Sequence, residues 1–426
     1  MKQTHQKIYD LAAKLYPIPR SLTGDGVRQT LEIIKELLPN LEIHGVPSGT
    51  KCFDWETPKE WRIRDAYIVT PSGKKIAEFG QNNLHIVGYS TPQRLKMPLD
   101  ELKKHIYTLP SMPDAIPYVT SYYKESWGFC ISYEQFCALE DGEYEVFIDS
   151  ELFDGVMNYG ELIIKGESEK EVLISTYICH PSLANNEVSG PSVATYLADW
   201  IASKKRKYSY RILFIPETIG SIYYLSHHLD KMQQNIVAGL NLTCIGDDRA
   251  YSFVATRYGN TLTDRAARVV LKNIDERYME YSFLESGSDE RKYNAPGVDL
   301  PVISLMRTKY GNYPEYHTSK DDLSVISHAG LGGGYEAAKQ IIEVIEENER
   351  YKVTTLCEPQ LGRRGLYPTV STHDTWRQVK ALKNLLAYCD GTNDLIAVCE
   401  IINESTTTVL PIVHRLREEG LLDICF

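Results

Sequence analysis

The sequence predicts an α/β protein: a mixed sheet flanked by helices, interrupted by a β-rich insert and followed by a winged helix-turn-helix. Three observations carry this expectation. From about Glu143, apolar β-branched runs alternate with helical patterns, the grammar of a layered α/β domain. Between Leu41 and Leu139 the helical period gives way to β-forming runs and turn residues. After a break rich in Pro, Gly and Arg at 354–371, three helical stretches and a short apolar run close the chain. The implied organisation is an α/β domain at 1–40 and 140–352, a β-rich insert at 41–139 and a winged helix at 353–426.

Taken in order, Thr4 to Tyr16 has a helical pattern. "SLTGDGVRQTLEIIKELLP" has another, with Ile33, Ile34, Leu37 and Leu38 on one face. "WRIRDAYIVTPSGKKIAEFG" alternates β-formers around a Pro-Ser-Gly turn and predicts a hairpin. "NNLHIVGYS" and "WGFCISYEQFCAL" continue that character, with Trp55, Trp61 and Trp127 as aromatic core candidates. Strands are then expected in "YEVFIDS", "GELIIKGES", "EVLISTYICH", "YRILFIPE", "IVAGLNLTCIG", "YSFVAT" and "DLPVISLM". Helices are expected in "SGPSVATYLADWIASK", "TIGSIYYLSHHLDKM", "LTDRAARVVLKNI" and "GLGGGYEAAKQIIEVIEENERY". In the tail, helices end at "CDG" and cover "DLIAVCEIIN" and "TTVLPIVHRLREEG", before a final strand in "LLDICF".

Composition narrows the function. The 426 residues carry a net charge of -11, which argues against a general nucleic-acid or membrane-surface binder, since phosphate contacts need basic surface. In the tail, Arg415 and Arg417 are offset by Glu418 and Glu419, so a docking or oligomerisation module is expected rather than a DNA reader. A homo-oligomer fits that expectation. The nine cysteines form no CxxC pair, and no apolar run suits a signal peptide or a membrane span. The expected setting is a reducing cytoplasm.

The chemistry gathers at strand ends, where sites form in open α/β sheets. His180 ends "EVLISTYICH", Glu217 ends "YRILFIPE", and Asp247 and Asp248 follow a third strand. "ESGSDERKYN" adds Asp289, Glu290 and Arg291, and "NYPEYHTSKDD" adds His317 with Asp321 four residues on. A histidine held by a strand end can ligate a metal, and an acid near a histidine can orient it. Each residue alone has a bland alternative: a satisfied histidine, or an acid at a helix N-terminus. Together they suggest a hydrolytic metal site, with ligands from His, Asp or Glu and a carboxylate base beside a water.

On "CHPSLANNEVSGP", "FIPETIGS", "SGSDER" and "PEYHTSKDD", the chain resembles the zinc aminopeptidase and glutamate carboxypeptidase superfamily. It is most similar to a bacterial aminopeptidase-like branch with an inserted β-rich piece and a carboxyl-terminal winged helix. The resemblance implies a phosphorylase/hydrolase-like zinc-exopeptidase fold. It implies His180 and His317 as metal histidines, Glu217 as general base, and Asp289 as an acid of the pocket loop. Asn186, Thr218 and Thr243 stand where the superfamily carries carboxylates, and Ser182 stands where it carries the aspartate of His-x-Asp. One zinc ion is therefore expected rather than two. The run from His180 to Gly190 also resembles the His-Gly-Asn-Glu run of mononuclear zinc carboxypeptidases, which implies Glu187 as a third ligand. Arg291 is a candidate clamp for a substrate carboxylate. Asn186 and Tyr310 are candidate substrate contacts, and Asp321 a partner of the ligand histidine. The expected activity is hydrolysis of a terminal amide bond in a small peptide or acylated amino acid. The alternative is a non-catalytic relative that binds a small peptide or a sugar-linked ligand.

Overall fold

A computed structural model describes residues 2–367 and 373–425. The chain forms two compact units, one made of 1–259 and 279–336, the other of 260–278 and 337–426.

The first unit is built on an eight-stranded mixed sheet. Across the sheet the strands run Glu42–Pro47, Val156–Ile164, Ser209–Ile215, Glu171–Tyr177, Ile236–Leu242, Val302–Met306, Ser252–Val254 and Met279–Tyr281. The four strands from Ser209–Ile215 to Val302–Met306 are mutually parallel. The two at their centre of burial, Glu171–Tyr177 and Ser209–Ile215, are buried at every position. That explains their unbroken apolar runs, because a parallel strand is covered on both faces. The chain leaves Glu171–Tyr177 toward one edge of the sheet and Ile236–Leu242 toward the other. Such a divergence opens a crevice at the carboxyl ends of the strands.

The helix Ser189–Ala202 starts hard against this crevice. A side chain at Gly190 would put its Cβ 2.4 Å from the Leu242 carbonyl oxygen, so only glycine lets the helix sit there. A single π turn, Ala184–Val188, precedes it. The Asp321 carboxylate accepts from the backbone N–H groups of Asn185 (2.7 Å) and Asn186 (3.0 Å) at that start.

The insert carries a four-stranded antiparallel sheet in the order Lys75–Ile76, Glu60–Val69, Glu143–Phe153, Gln93–Pro98. The Pro-Ser-Gly hairpin forms as expected. Two strands near the expected boundaries serve the neighbouring sheet. Glu42–Pro47 pairs into the main sheet, and Glu143–Phe153 pairs with Glu60–Val69. "NNLHIVGYS" and "WGFCISYEQFCAL" are mostly not strands: the Asn83–His85 turn, a two-residue strand Phe129–Cys130 and the helix Tyr133–Cys137 occupy them. Trp61, Phe129, Tyr144 and Ile148 of the insert share one apolar core with Leu173, Leu213 and Tyr224 of the main sheet. The insert is therefore fused to the α/β layer by a common core.

The second unit is the winged helix. Strands Asp390–Asp394, Arg350–Val353 and Leu422–Cys425 form an antiparallel sheet in that order, with helices His373–Tyr388, Leu395–Ile402 and Thr406–Glu418. Tyr351, Leu385, Val409, Val413 and Leu416 are its core. Asp394 caps the helix that follows it and takes a two-pronged ion pair from Arg265, at 2.7 and 2.6 Å. Arg265 lies on Leu262–Ile274, which packs with this unit although the sequence pattern groups it with the α/β alternation. Part of the expected break before the winged helix, 368–372, lies outside the described residues. Among the described residues no single helix is long and apolar enough to cross a membrane. The nine cysteines are free thiols.

Candidate active site

Three of the expected residues meet. His180 lies three residues past Glu171–Tyr177, and Glu217 two residues past Ser209–Ile215. His317 sits in the loop after Val302–Met306. The rings of His180 and His317 have centroids 5.7 Å apart, and His180 Nε2 is 3.7 Å from Glu217 Oε2. The three line one cavity of about 330 Å³, whose other walls include Trp55, Tyr118, Tyr122 and Tyr123 of the insert. The insert also secures the His317 loop. The Tyr118 N–H donates to the His317 carbonyl at 2.9 Å, and the Tyr118 ring lies against both His180 (5.3 Å) and His317 (5.1 Å).

Behind the pocket, His180 is fixed from its other nitrogen. Glu187 Oε2 lies 2.9 Å from His180 Nδ1, and Glu187 Oε1 is 3.3 Å from Arg20 Nε. Arg20 Nε also donates to the His180 carbonyl at 2.9 Å. Both members of the Arg20–Glu187 pair are buried. Burial alone would disfavour a charged His180, but the Glu187 carboxylate against Nδ1 outweighs it and raises its pKa. His317 goes the other way. Burial and the neighbouring His180 push it down to about 3, so it is a neutral imidazole. Its Nε2 is buried and has no hydrogen-bond partner. Burial raises Cys179 to about 11, so its thiol is protonated and accepts the Glu217 N–H at 3.2 Å.

Glu217 is held by one oxygen. Ser288 Oγ donates to Oε1 at 2.7 Å, leaving Oε2 toward His180. The next residue, Thr218, has φ 66° and ψ -73°, a costly conformation for a β-branched residue. Asp289 holds it there: its Oδ1 accepts from Thr218 N–H and Ser221 Oγ, each at 2.8 Å. His317 is left-handed too, at φ 55°. Strain on both sides of one cavity is a frequent mark of function.

The remaining expected residues fall elsewhere. Glu187 does not line the cavity; it braces the far side of His180. A cation shared by Cys179, His180 and Glu187, whose donor atoms lie within 4.8 Å, would face the Arg20 guanidinium already paired with Glu187. Asn186 is buried, donates to the Tyr177 hydroxyl at 2.6 Å and is not among the residues lining the cavity. Asp289 is buried behind Glu217, where desolvation and the Glu217 charge push it up to about 7. Arg291 is exposed and donates to Ser286 Oγ, away from the cavity walls. Tyr310 donates to Glu290 Oε1 and accepts from the Gly287 N–H, both at 2.7 Å, so it builds the 287–290 loop rather than the pocket. Asp321 holds the π turn and Tyr313, not His317. Asp247 ties Asn185 to Thr308. The Tyr177 hydroxyl hydrogen-bonds to Asn186 and Thr243, joining two positions where the resemblance places carboxylates. A neutral knot fills that place.

Sequence reasoning passed over Arg20, Tyr118, Tyr122 and Ser288. Tyr122 and Tyr123 stand in "SYYKESW", an aromatic-rich loop that offered a signal; Arg20 in "YPIPRSL" offered none.

Comparison with known proteins follows the same lines. Residues 9–348 match the family described as "Domain of unknown function (DUF4910)", and 349–424 match a winged helix-turn-helix family. The chain belongs to the DUF4910 family. A relative from Clostridium acetobutylicum, named for polysaccharide biosynthesis and an aminopeptidase-like domain, is 45% identical over 398 residues, 93% of this chain and 91% of its own. A crystal structure from that organism, titled as a peptidase, is 43% identical with a TM-score of 0.93, covering 100% of this chain and 97% of that one. The zinc aminopeptidase BSAP of Bacillus subtilis shares the fold at 14% identity and a TM-score of 0.60, over 79% of this chain and 94% of that one. This DUF4910 chain thus has the aminopeptidase-like α/β fold, followed by a winged helix.

Proposed function

We propose that this DUF4910 protein is a metal-dependent hydrolase of a terminal amide bond, with one zinc ion. The observation that carries the reading is the meeting of His180, His317 and Glu217 in one cavity at the carboxyl edge of the sheet. Two imidazoles on one tetrahedral zinc put their ring centroids roughly 5 Å apart, close to the 5.7 Å between these two. The partnerless Nε2 of neutral His317 and the braced orientation of His180 suit the same role. His180 and His317 would hold the zinc, which when bound would polarise a carbonyl and make a neighbouring water more acidic.

Glu217 is the acid among the described cavity residues, and it takes the proton from the attacking water and returns it to the leaving amine. Ser288 keeps one carboxylate oxygen occupied so that the other faces the reacting centre. Trp55, Tyr122 and Leu22 shield the site from bulk water and receive an apolar side of the substrate. A cavity of about 330 Å³ suits a small substrate.

The second reading is a non-catalytic ligand-binding protein. Glu187 is engaged by Arg20, and neutral groups occupy positions 186, 218 and 243, which leaves few metal ligands. The name of the Clostridium relative supports a sugar-linked ligand under either reading.

Glu217→Gln separates the two. It should lower turnover of amino-acid amides, dipeptides or acylated amino acids by roughly 100- to 10,000-fold, with metal content unchanged near one per chain. An active preparation whose rate survives Glu217→Gln would refute the mechanism. A metal-loaded protein that turns over none of these substrates would favour the binding role.

A further inference from the structure

Beside the His180 cavity lies a second one of about 410 Å³, and Tyr122 and Tyr123 line both. Its floor and rim come from the insert and the turns around it. Thr57, Lys59, Ser121, Lys124, Glu125 and Asp154 supply polar groups, and the buried Tyr89 also lines it. Tyr123, which lines both cavities, makes an aromatic corner with Trp55, which lines the His180 cavity alone. The rings of Trp55 and Tyr123 meet at 75° with centroids 5.5 Å apart. Tyr123 is 57% exposed and Trp55 39%, although both border a cavity. Two large rings meeting in the open at a cavity mouth offer an apolar face that a ligand can cover.

We infer that this second cavity holds a neutral sugar ring joined to the amide that the His180 site receives. This rests on the proposed function of that site and names its substrate class. An aromatic face carries negative charge density, and it attracts the polarised C–H face of a pyranose. The hydroxyl edge of the same ring needs both donors and acceptors, which the lysines, carboxylates and hydroxyls around the cavity provide. Charge argues against a phosphorylated or polyanionic ligand. Lys59 and Lys124 are matched by Glu56, Glu125 and Asp154 in the same lining. The two cavities adjoin at Tyr122 and Tyr123, and the inferred molecule would span them with its sugar on the aromatic corner and its amide toward Glu217.

Saturation-transfer NMR on the full-length, zinc-loaded protein tests this, with N-acetylglucosamine and N-acetylalanine amide as probes. The inference expects transfer to the pyranose C–H protons. Tyr123→Ala should weaken it by roughly fivefold or more, as befits loss of one aromatic contact, and Tyr123→Phe should retain it. Trp55→Ala should act like Tyr123→Ala, and circular dichroism confirms that each variant is folded. No transfer to the sugar, or equal transfer in wild type, Tyr123→Ala and Trp55→Ala, overturns the inference. Sugar binding lost in Tyr123→Ala, together with no hydrolysis of any amide, would instead sink the hydrolase and leave the sugar site standing.

Discussion

Glu187 does not line the cavity, yet its loss should be felt there. It takes the Nδ1 side of His180 and so turns Nε2 toward the pocket, as a carboxylate does behind a ligand histidine. Glu187→Gln should weaken metal binding by roughly 10- to 100-fold. It also strands Arg20 as an unpaired buried charge, at about 3–5 kcal/mol. Adding Arg20→Met should restore much of that stability without restoring metal affinity. Titration of zinc against chelator, beside denaturant melts, checks both halves. Affinity that recovers with stability would mean the pair is only a structural bridge. Asp289 makes a different prediction. Its pKa is raised to about 7 by burial and by Glu217, whereas an unfolded aspartate ionises near about 3.9. Below both values the group is neutral in both states and costs nothing. As pH rises from about 4 toward 7, the unfolded chain ionises and the folded one resists, so stability is lost. Asp289→Asn should therefore gain stability relative to the wild type as pH rises across that window. Denaturation midpoints at pH 5 and 7.5 suffice, and a constant difference between the two proteins would count against a buried neutral Asp289.

Elements decide which residues the sequence could reveal. His180 and Glu217 were legible because each lies within three residues of the end of a fully buried strand, which fixes where the chain emerges. His317 was legible from the polar "PEYHTSKDD" loop. Arg20 was not, because its partner His180 is 160 positions away and no local period records that contact. The resemblance implies Glu187 as a ligand, but a likeness in local sequence does not record which side of a histidine a carboxylate serves, and Glu187 stands at His180 Nδ1 beside Arg20. In the insert, "NNLHIVGYS" has β-forming residues but finds only isolated bridges, Ile86 with Phe129, Gly88 with Thr120 and Ser90 with Ser126, so composition overstates its strands. The start of the Ile219–Asn235 helix holds a testable device. Thr218 pays for its φ of 66° so that Glu217 points as it does. Thr218→Gly should relieve strain and raise stability by about 1 kcal/mol, while turnover falls because Glu217 loses its fixed direction. Thermal melts and rates measured together check this. A variant both less stable and fully active would show that the strain has no bearing on the site.

At the scale of the whole molecule, the order of layers, the insert and the terminal winged helix could be read from alternating periodicity, whereas the pairing of strands at the insert's edges could not. Glu42–Pro47 and Glu143–Phe153 look alike as β-forming runs and join different sheets, since register depends on partners distant in sequence. The winged helix invites a nucleic-acid role that its charge opposes. The helix Thr406–Glu418 ends in Arg415 and Arg417, but Glu418 and Glu419 follow at once, and Arg415 already donates to the Gly365 carbonyl. The chain as a whole carries -11, so a DNA backbone approaching it meets net repulsion beyond about 8–10 Å only where salt is low. A protein that neutralises Z phosphates shows a log–log salt slope of about -0.9Z. The full-length protein should therefore bind duplex DNA weakly, without sequence preference, and with a slope shallower than about -2. Fluorescence anisotropy with labelled duplexes across a salt series measures this. Tight, sequence-selective binding with a steep slope would show that the winged helix reads DNA after all, through basic groups gathered where net charge does not reveal them.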